Sequence, residues 1–182
     1  MKPRAALGLV TAVVLLVGAG CTRDLTWPSV LADVRAQYPD VTQITTDSLA
    51  AWLSDTTRAS PILLDTRSAE EYSISHLPGA IRVDPERGVD PDRGVDPDRP
   101  RFDILDLPRE AEVVTYCSVG HRSSAVARAM REAGYTNVAN LEGSIFKWAN
   151  EGRALVGPGG SPTRAVHEYD AAWGELLEEN DE

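Results

Sequence analysis

Two short apolar segments that each lead into polar residues and then a helical pattern most constrain the fold. They occupy 61–65 and 112–116. A short apolar run ending in a polar residue is typical of a buried parallel strand whose carboxyl end meets a functional site. Because such segments alternate with helical patterns along the chain, the sequence predicts an α/β domain with a central, mostly parallel sheet flanked by helices in three layers.

Cap residues and apolar spacing predict the other elements. Further strands are predicted over 41–44, 80–83 and 138–141, and helices over 29–38, 123–133, 144–150 and 166–179. Ser123 or Ser124 is the expected cap of the helix that follows the second apolar strand. The last helix carries Trp173, Leu176 and Leu177 on the face that we expect to dock on the domain.

Residues 83–100 repeat a six-residue unit three times, as VDPERG, VDPDRG and VDPDRP. A proline in every unit removes a backbone donor, and a lone valine in each provides no core. We expect an exposed loop inserted in the domain. Calcium binding by its acidic side chains is the alternative, but the repeat lacks the alternating oxygen ligands and the glycine of an EF-hand loop.

The N-terminal segment 1–20 is a predicted signal peptide. Its apolar run, 5–18, has the length of a signal-peptide core and falls short of the roughly 18 to 20 residues of a spanning helix. Small residues and then Cys21 follow, which resembles the lipobox of bacterial lipoproteins, although Gly18 stands where that pattern prefers a branched aliphatic residue. We expect an exported protein of the cell envelope, anchored to the membrane on its extracytoplasmic face by lipid on Cys21. Plain secretion and an uncleaved anchor are the alternatives.

The length of 182 residues suits one domain with appendages. We assign 21–40 to a tether and possible first helix, 41–155 to the domain, and 156–182 to a C-terminal extension with the docking helix. The net charge of −10 argues against a nucleic-acid partner, because such binding needs a basic surface.

The chain has two cysteines, Cys21 and Cys117. If Cys21 carries lipid, Cys117 is an unpaired thiol in an oxidising compartment, which a reactive role would explain. A buried, inert cysteine is the alternative.

The loop CSVGHR, which runs from Cys117 to Arg122, lies between a predicted strand and a predicted helix. A loop that enters a helix N-terminus directs backbone N–H groups and the positive end of the helix dipole at an anion. We therefore expect Cys117 to have a lowered pKa and to exist largely as thiolate. Gly120 gives the loop conformational freedom, and Arg122 supplies a cation for an oxyanion.

Three motifs together resemble the signatures of rhodanese-like domains. They are LLDTRSAEEYSISHLPGAIRV at 63–83, VVTYCSVGHRS at 113–123 and AGYTNVANLEGSIFKW at 133–148. The resemblance implies a persulfide-forming cysteine that moves sulfane sulfur from a donor such as thiosulfate to a thiol, cyanide or protein acceptor. We expect neither a cofactor nor a metal.

The family's site residues carry over by position. Cys117 matches the catalytic nucleophile, and the residues around its persulfide match Ser118, Val119, Gly120, His121 and Arg122. Arg122 closes the loop. His121 either tunes the thiolate's charge or faces solvent.

Positions that are chiefly structural in the family match Asp65, Arg67, Glu71 and His76. We expect Arg67 to pair with a nearby carboxylate.

Three other functions compete with sulfur transfer. Cysteine phosphatases place five residues between cysteine and arginine, whereas four separate Cys117 from Arg122, so the loop is too short to wrap a phosphate. A non-catalytic binding module would not need the cysteine. A redox sensor would need a resolving thiol from a partner.

Overall fold

The computed structural model describes residues 25–83 and 106–178. Its helices are α1 (Trp27–Gln37), α2 (Thr46–Ser54), α3 (Ala69–Ile74), α4 (His121–Glu132), α5 (Ser144–Asn150) and α6 (Ala171–Gly174). Its strands are β1 (Thr42–Ile44), β2 (Ile62–Asp65), β3 (Ile81–Arg82), β4 (Val113–Tyr116), β5 (Val138–Leu141), β6 (Leu155–Val156) and β7 (Pro162–Thr163). The predicted signal peptide, Cys21 and all but the first residue of the 83–100 repeat lie outside the described residues.

The main sheet has the strand order β1-β5-β4-β2-β3, and every neighbouring pair is parallel. A separate antiparallel pair joins β6 to β7. The five predicted strands lie where the sequence placed them, within one residue at each end. The predicted α/β fold with a parallel central sheet is confirmed. No helix in the described part of the chain is both long and apolar enough to cross a membrane.

Alternate residues of the central strands belong to two apolar clusters, one on each face of the sheet. Leu63 and Val114 pack in a cluster that includes buried residues of α2 and α5. Leu64 and Val113 pack in a second cluster with the buried face of α4. This alternation shows that the sheet is covered on both faces. The loops that follow the parallel strands therefore meet at one end of the sheet, where the strands' carboxyl ends lie.

The start of α4 differs from the prediction of a serine cap. Its N-cap is Gly120, which has a left-handed conformation with φ of 117° and offers no side chain. The two serines are buried and bond to neighbouring strands instead. Ser123 Oγ donates to Asn140 Oδ1 at 2.5 Å, and Ser124 Oγ accepts from Gln43 Nε2 at 3.4 Å. The prediction was wrong because tertiary partners, rather than the helix's own amides, engage both hydroxyls.

The long helix predicted over 166–179 is also wrong. Of its described residues, 166–178, only the four of α6 are helical. Tyr169 has a left-handed conformation with φ of 69°, and Asp170 then caps α6, so a helix cannot run through this point. The docking that was predicted is nevertheless present, because Leu176 is buried and the other two predicted docking side chains pack against the same core cluster.

A buried ion pair fixes the loop that follows β2. Arg67 Nη2 lies 2.7 Å from Asp65 Oδ2, with both side chains fully buried, and donates to the carbonyl oxygen of Ser75 at 2.5 Å. The predicted pairing of Arg67 with a carboxylate is therefore present. Since Ser75 follows α3 directly, the pair holds this helix against the carboxyl end of β2. It thereby places Glu71, on α3, beside the loop after β4.

Candidate active site

Cys117 directly follows β4, the middle strand of the sheet, and is almost fully buried. The N-terminus of α5 holds its backbone. The carbonyl oxygen of Cys117 accepts from Ile145 N–H at 3.2 Å, and that of Ser118 accepts from Phe146 N–H at 3.1 Å. With these carbonyls directed toward α5, the loop curls around the thiol, and Gly120 N–H donates to Cys117 Sγ at 3.1 Å. The loop therefore presents a backbone donor to the sulfur atom.

Gly120 is required by both its conformation and its surroundings. Its φ of 117° is one that residues with a Cβ rarely adopt. A Cβ there would also lie 3.3 Å from Asn140 Nδ2, a buried side chain. The glycine lets the chain turn from the cysteine into the first turn of α4, whose N-terminus then lies close to the sulfur.

The environment of Cys117 lowers the pKa of its thiol. Burial, the largest influence, raises this pKa. The positive charge of Arg122 and hydrogen bonds from Ser123 and Gly120 act against burial, and together they outweigh it. Because the thiolate is the nucleophilic form, the arrangement favours attack by Cys117 on an electrophilic atom such as sulfur.

Arg122 and Glu71 form a bidentate ion pair beside the cysteine loop. Arg122 Nη1 donates to Glu71 Oε2 at 2.8 Å, and Nη2 donates to Oε1 at 2.7 Å. Ser118 Oγ donates to the same carboxylate at 3.0 Å and accepts from Arg122 at 2.8 Å. The carboxylate also accepts the backbone N–H of Ser68 in a capping box at the start of α3. Both terminal nitrogens of the guanidinium are thus engaged by the protein.

Glu71 has a pKa lowered to about 2. Burial is the largest single influence and raises this pKa, but the guanidinium of Arg122 and the hydrogen bonds from Ser68 and Ser118 together outweigh burial and lower it. Glu71 was expected to be structural. The structure adds that it touches two residues of the cysteine loop, so it joins α3 to the site.

The two predicted histidines lie in different places. His76 stacks on Tyr72 with ring centroids 3.9 Å apart, and its Nδ1 lies 3.1 Å from that residue's carbonyl oxygen. It does not line the cavity at Cys117. His121 does line it, and its Nδ1 lies 3.1 Å from Gln37 Oε1. Burial lowers the pKa of His121, which disfavours the protonated ring.

A cavity of about 260 Å³ opens onto the cysteine loop. Its lining combines that loop with the C-terminal extension: Cys117, Ser118, Val119, His121, Arg122, Tyr169 and Trp173. Sequence reasoning missed Tyr169 and assigned Trp173 to docking alone, because both lie outside the three motifs. The only sequence signal for these two lining residues was the presence of aromatic side chains in the C-terminal extension. Within residues 25–83 and 106–178, no three His, Cys, Asp or Glu side chains are grouped to hold a metal ion.

Comparison with known proteins assigns the class. The family model described as Rhodanese-like domain matches residues 45–151, and the chain therefore belongs to the rhodanese-like domain family. It is 30% identical over 120 residues to the sulfurtransferase of Allochromatium vinosum, a match that covers 66% of this chain and 99% of that protein. The relative that the chain matches over nearly its full length is thus a sulfurtransferase.

Two further comparisons limit what can be inferred from the similarity. The chain is 29% identical over 91 residues to the adenylyltransferase and sulfurtransferase uba4 of Ogataea parapolymorpha, which covers 50% of this chain but only 21% of that protein. The chain therefore spans about a fifth of that relative's length. The crystal structure of the BH2092 protein from Bacillus halodurans superposes with a TM-score of 0.57 at 19% identity, over 80% of this chain and 96% of that one. This last likeness supports the fold.

Replacing Glu71 with Gln should destabilise the protein at neutral pH by up to about 3 kcal/mol, because the carboxylate with the lowered pKa is lost. The lowered pKa means that Glu71 stabilises the native protein fully above its ordinary pKa of 4.5, and that this stabilisation is lost as pH falls toward about 2. Urea unfolding of wild type and variant should therefore differ most near pH 7 and converge in acid.

Glu70→Gln is the matched control, since Glu70 is exposed on the same helix, and it should unfold like wild type. A Glu71→Gln variant as stable as wild type at pH 7 would show that the Arg122 pair does not hold the site together.

Proposed function

We propose that the chain is a sulfurtransferase that carries sulfane sulfur as a persulfide on Cys117, from a donor such as thiosulfate to a thiophilic acceptor. One observation carries the proposal: Gly120 N–H donates to the buried sulfur of Cys117, at the N-terminus of α4. This geometry stabilises negative charge on a cysteine sulfur, or on a second sulfur bound to it. The chain matches nearly the whole length of the Allochromatium vinosum protein, and the name of that protein, sulfurtransferase, supports the same reaction.

The proposed reaction has two half-reactions. The Cys117 thiolate attacks the outer sulfur of thiosulfate, a sulfur–sulfur bond forms on the cysteine, and sulfite leaves with the electron pair of the broken bond. An acceptor nucleophile then attacks the outer sulfur of the persulfide, and Cys117 leaves as thiolate. The enzyme alternates between two covalent states, so ping-pong kinetics are expected.

The ion pair between Arg122 and Glu71 supports sulfur transfer over phosphate chemistry. A phosphate ester needs an arginine whose donors face the transferring group. Here both terminal nitrogens of Arg122 are directed at a carboxylate, and the loop is one residue shorter than a phosphatase loop. Arg122 instead lowers the pKa of the Cys117 thiol through its charge.

Incubation of the purified protein with thiosulfate or inorganic polysulfide should add the mass of one sulfur atom to the peptide that contains Cys117. Cyanide should then remove that mass and release thiocyanate. The measurement is intact-protein and peptide mass spectrometry. Cys117→Ser should gain nothing, and Cys21→Ser, which retains Cys117, should load like wild type. Absence of the added sulfur on wild-type Cys117 with every donor would exclude the proposed reaction.

We further propose that the chain works at the cell envelope, exported and held to the membrane by lipid on Cys21. The support is the sequence alone: a short apolar run of signal-peptide length, small residues and then a cysteine. Sulfur donors and acceptors would then be met on the extracytoplasmic side of the membrane.

Expression of the full chain in a bacterium should place it in the membrane fraction, with Cys21 as a lipid-modified N-terminus in mass spectrometry. Cys21→Ala should lose the lipid, because the attachment atom is absent, while Cys117→Ala should keep it. An unmodified Cys21 in the wild-type protein would contradict the anchor.

A further inference from the structure

The C-terminal extension places two aromatic side chains over the cysteine loop. The ring centroid of Tyr169 lies 4.7 Å from the guanidinium carbon of Arg122. Trp173 meets the ring of His121 edge-on, with centroids 6.0 Å apart. Both aromatics line the cavity at Cys117, and both follow the 45–151 segment that matches the family model. One wall of the site is therefore built by a segment that the family model does not cover.

This aromatic wall, Tyr169 and Trp173, is fixed to the domain by the residues that follow it. After it, Leu176 is buried in the core, and its carbonyl oxygen accepts from Asn150 Nδ2 of α5 at 2.8 Å. The same asparagine accepts the N–H of Glu178 at 3.1 Å. Between the two aromatics, a side-chain oxygen of Asp170 accepts two N–H groups of α6, including that of Trp173 at 3.0 Å. The wall thus has a defined position relative to the cysteine.

The lining of the cavity offers no unpaired cation to the distal substituent of a sulfur acceptor. Arg122 is the cation of the lining, and Glu71 neutralises it through both terminal nitrogens. Burial lowers the pKa of His121 and so disfavours a positive charge on its ring, although the carboxylate of Asp33 acts in the opposite direction. Among the described lining residues, no positive charge lacks a carboxylate partner. An anionic substituent would gain no counter-ion here, whereas an apolar one would contact the aromatic wall.

The size of the cavity suits an organic molecule. An apolar cavity of roughly 150 Å³ is large enough to bind benzene. The cavity at Cys117 measures about 260 Å³, which accommodates a ring and a short linker to a reacting sulfur. Cyanide would occupy a small part of it and would not touch the aromatic wall.

Building on the sulfurtransferase reaction proposed above, we propose that the sulfur acceptor is an organic thiol with an aromatic or alkyl group, bound by Tyr169 and Trp173. The acceptor thiol releases its proton to solvent. Its thiolate sulfur then bonds to the outer sulfur of the Cys117 persulfide as the bond between that sulfur and Cys117 breaks. Cys117 leaves with the electron pair as thiolate, and the product is an organic persulfide. No oxidant or reductant is needed, because the sulfane sulfur moves between two thiolates.

A single-turnover experiment on the full chain tests this specificity. Cys117 is loaded with thiosulfate or polysulfide, the donor is removed, and mass spectrometry verifies the persulfide. The decay of the persulfide is then followed with phenylethanethiol or mercaptoethanesulfonate, which share the same thiol arm and differ in an aromatic or an anionic end. At equal thiolate concentration, the aromatic acceptor should react at least about tenfold faster per unit concentration, as burial of an apolar group predicts.

Variants assign the preference to the wall. Trp173→Ala and Tyr169→Asn should each remove most of the preference, because each should slow the reaction with phenylethanethiol much more than the reaction with mercaptoethanesulfonate, and Tyr169→Phe should retain the preference. Asparagine suits Tyr169 because it adopts the left-handed conformation found there. Tyr169 is half-exposed and lies outside the core clusters, so this variant should fold even if Trp173→Ala does not.

Trp52→Ala is the matched control, because Trp52 packs against the same core cluster as Trp173 but does not line the cavity. It should keep the wild-type preference. A loaded enzyme that reacts equally well with both thiols, or that keeps its preference in both wall variants, would overturn the inference and leave the persulfide reaction standing. Failure to load Cys117 at all would instead overturn the sulfurtransferase reaction, and the acceptor inference with it.

Discussion

Burying a thiolate at the end of a central strand costs free energy unless other groups replace the water that it loses. In this protein the replacements are a backbone N–H from Gly120, the N-terminus of α4 and the charge of Arg122. Arg122 can act in this way only because Glu71 holds it, and Glu71 is positioned by α3. The geometry of the cysteine loop therefore depends on a carboxylate that lies 46 positions earlier in the chain.

Much of this arrangement could be predicted from local sequence. The strands follow from short apolar runs, and the cysteine loop follows from its place between a strand and a helix. Ser68 and Glu71 form the capping box that their three-residue spacing indicates. The partner of Arg122 could not be predicted in this way, because the contact joins the first turns of two helices, α3 and α4, that only the parallel sheet brings together.

The errors have the same cause. Ser123 is a good helix cap by residue type, but Asn140 of the neighbouring strand engages its hydroxyl. The C-terminal segment has the apolar spacing of a helix, yet Tyr169 and Asp170 interrupt it so that Leu176 can reach the core. Local patterns predict which elements form, while tertiary contacts decide where they end and which side chains face the cysteine. The aromatic wall was missed because it depends on such contacts alone.

The central claim is that the site stabilises a buried thiolate at Cys117. The most direct test is the pH dependence of alkylation by iodoacetamide in a Cys21→Ser background, where Cys117 is the only cysteine. The rate should rise with pH and level off above the pKa of Cys117, which should lie below the ordinary thiol value of 9.0, because Arg122, Ser123 and the backbone outweigh the effect of burial. A pKa at or above that value would contradict this account, because burial would then outweigh the groups around the sulfur.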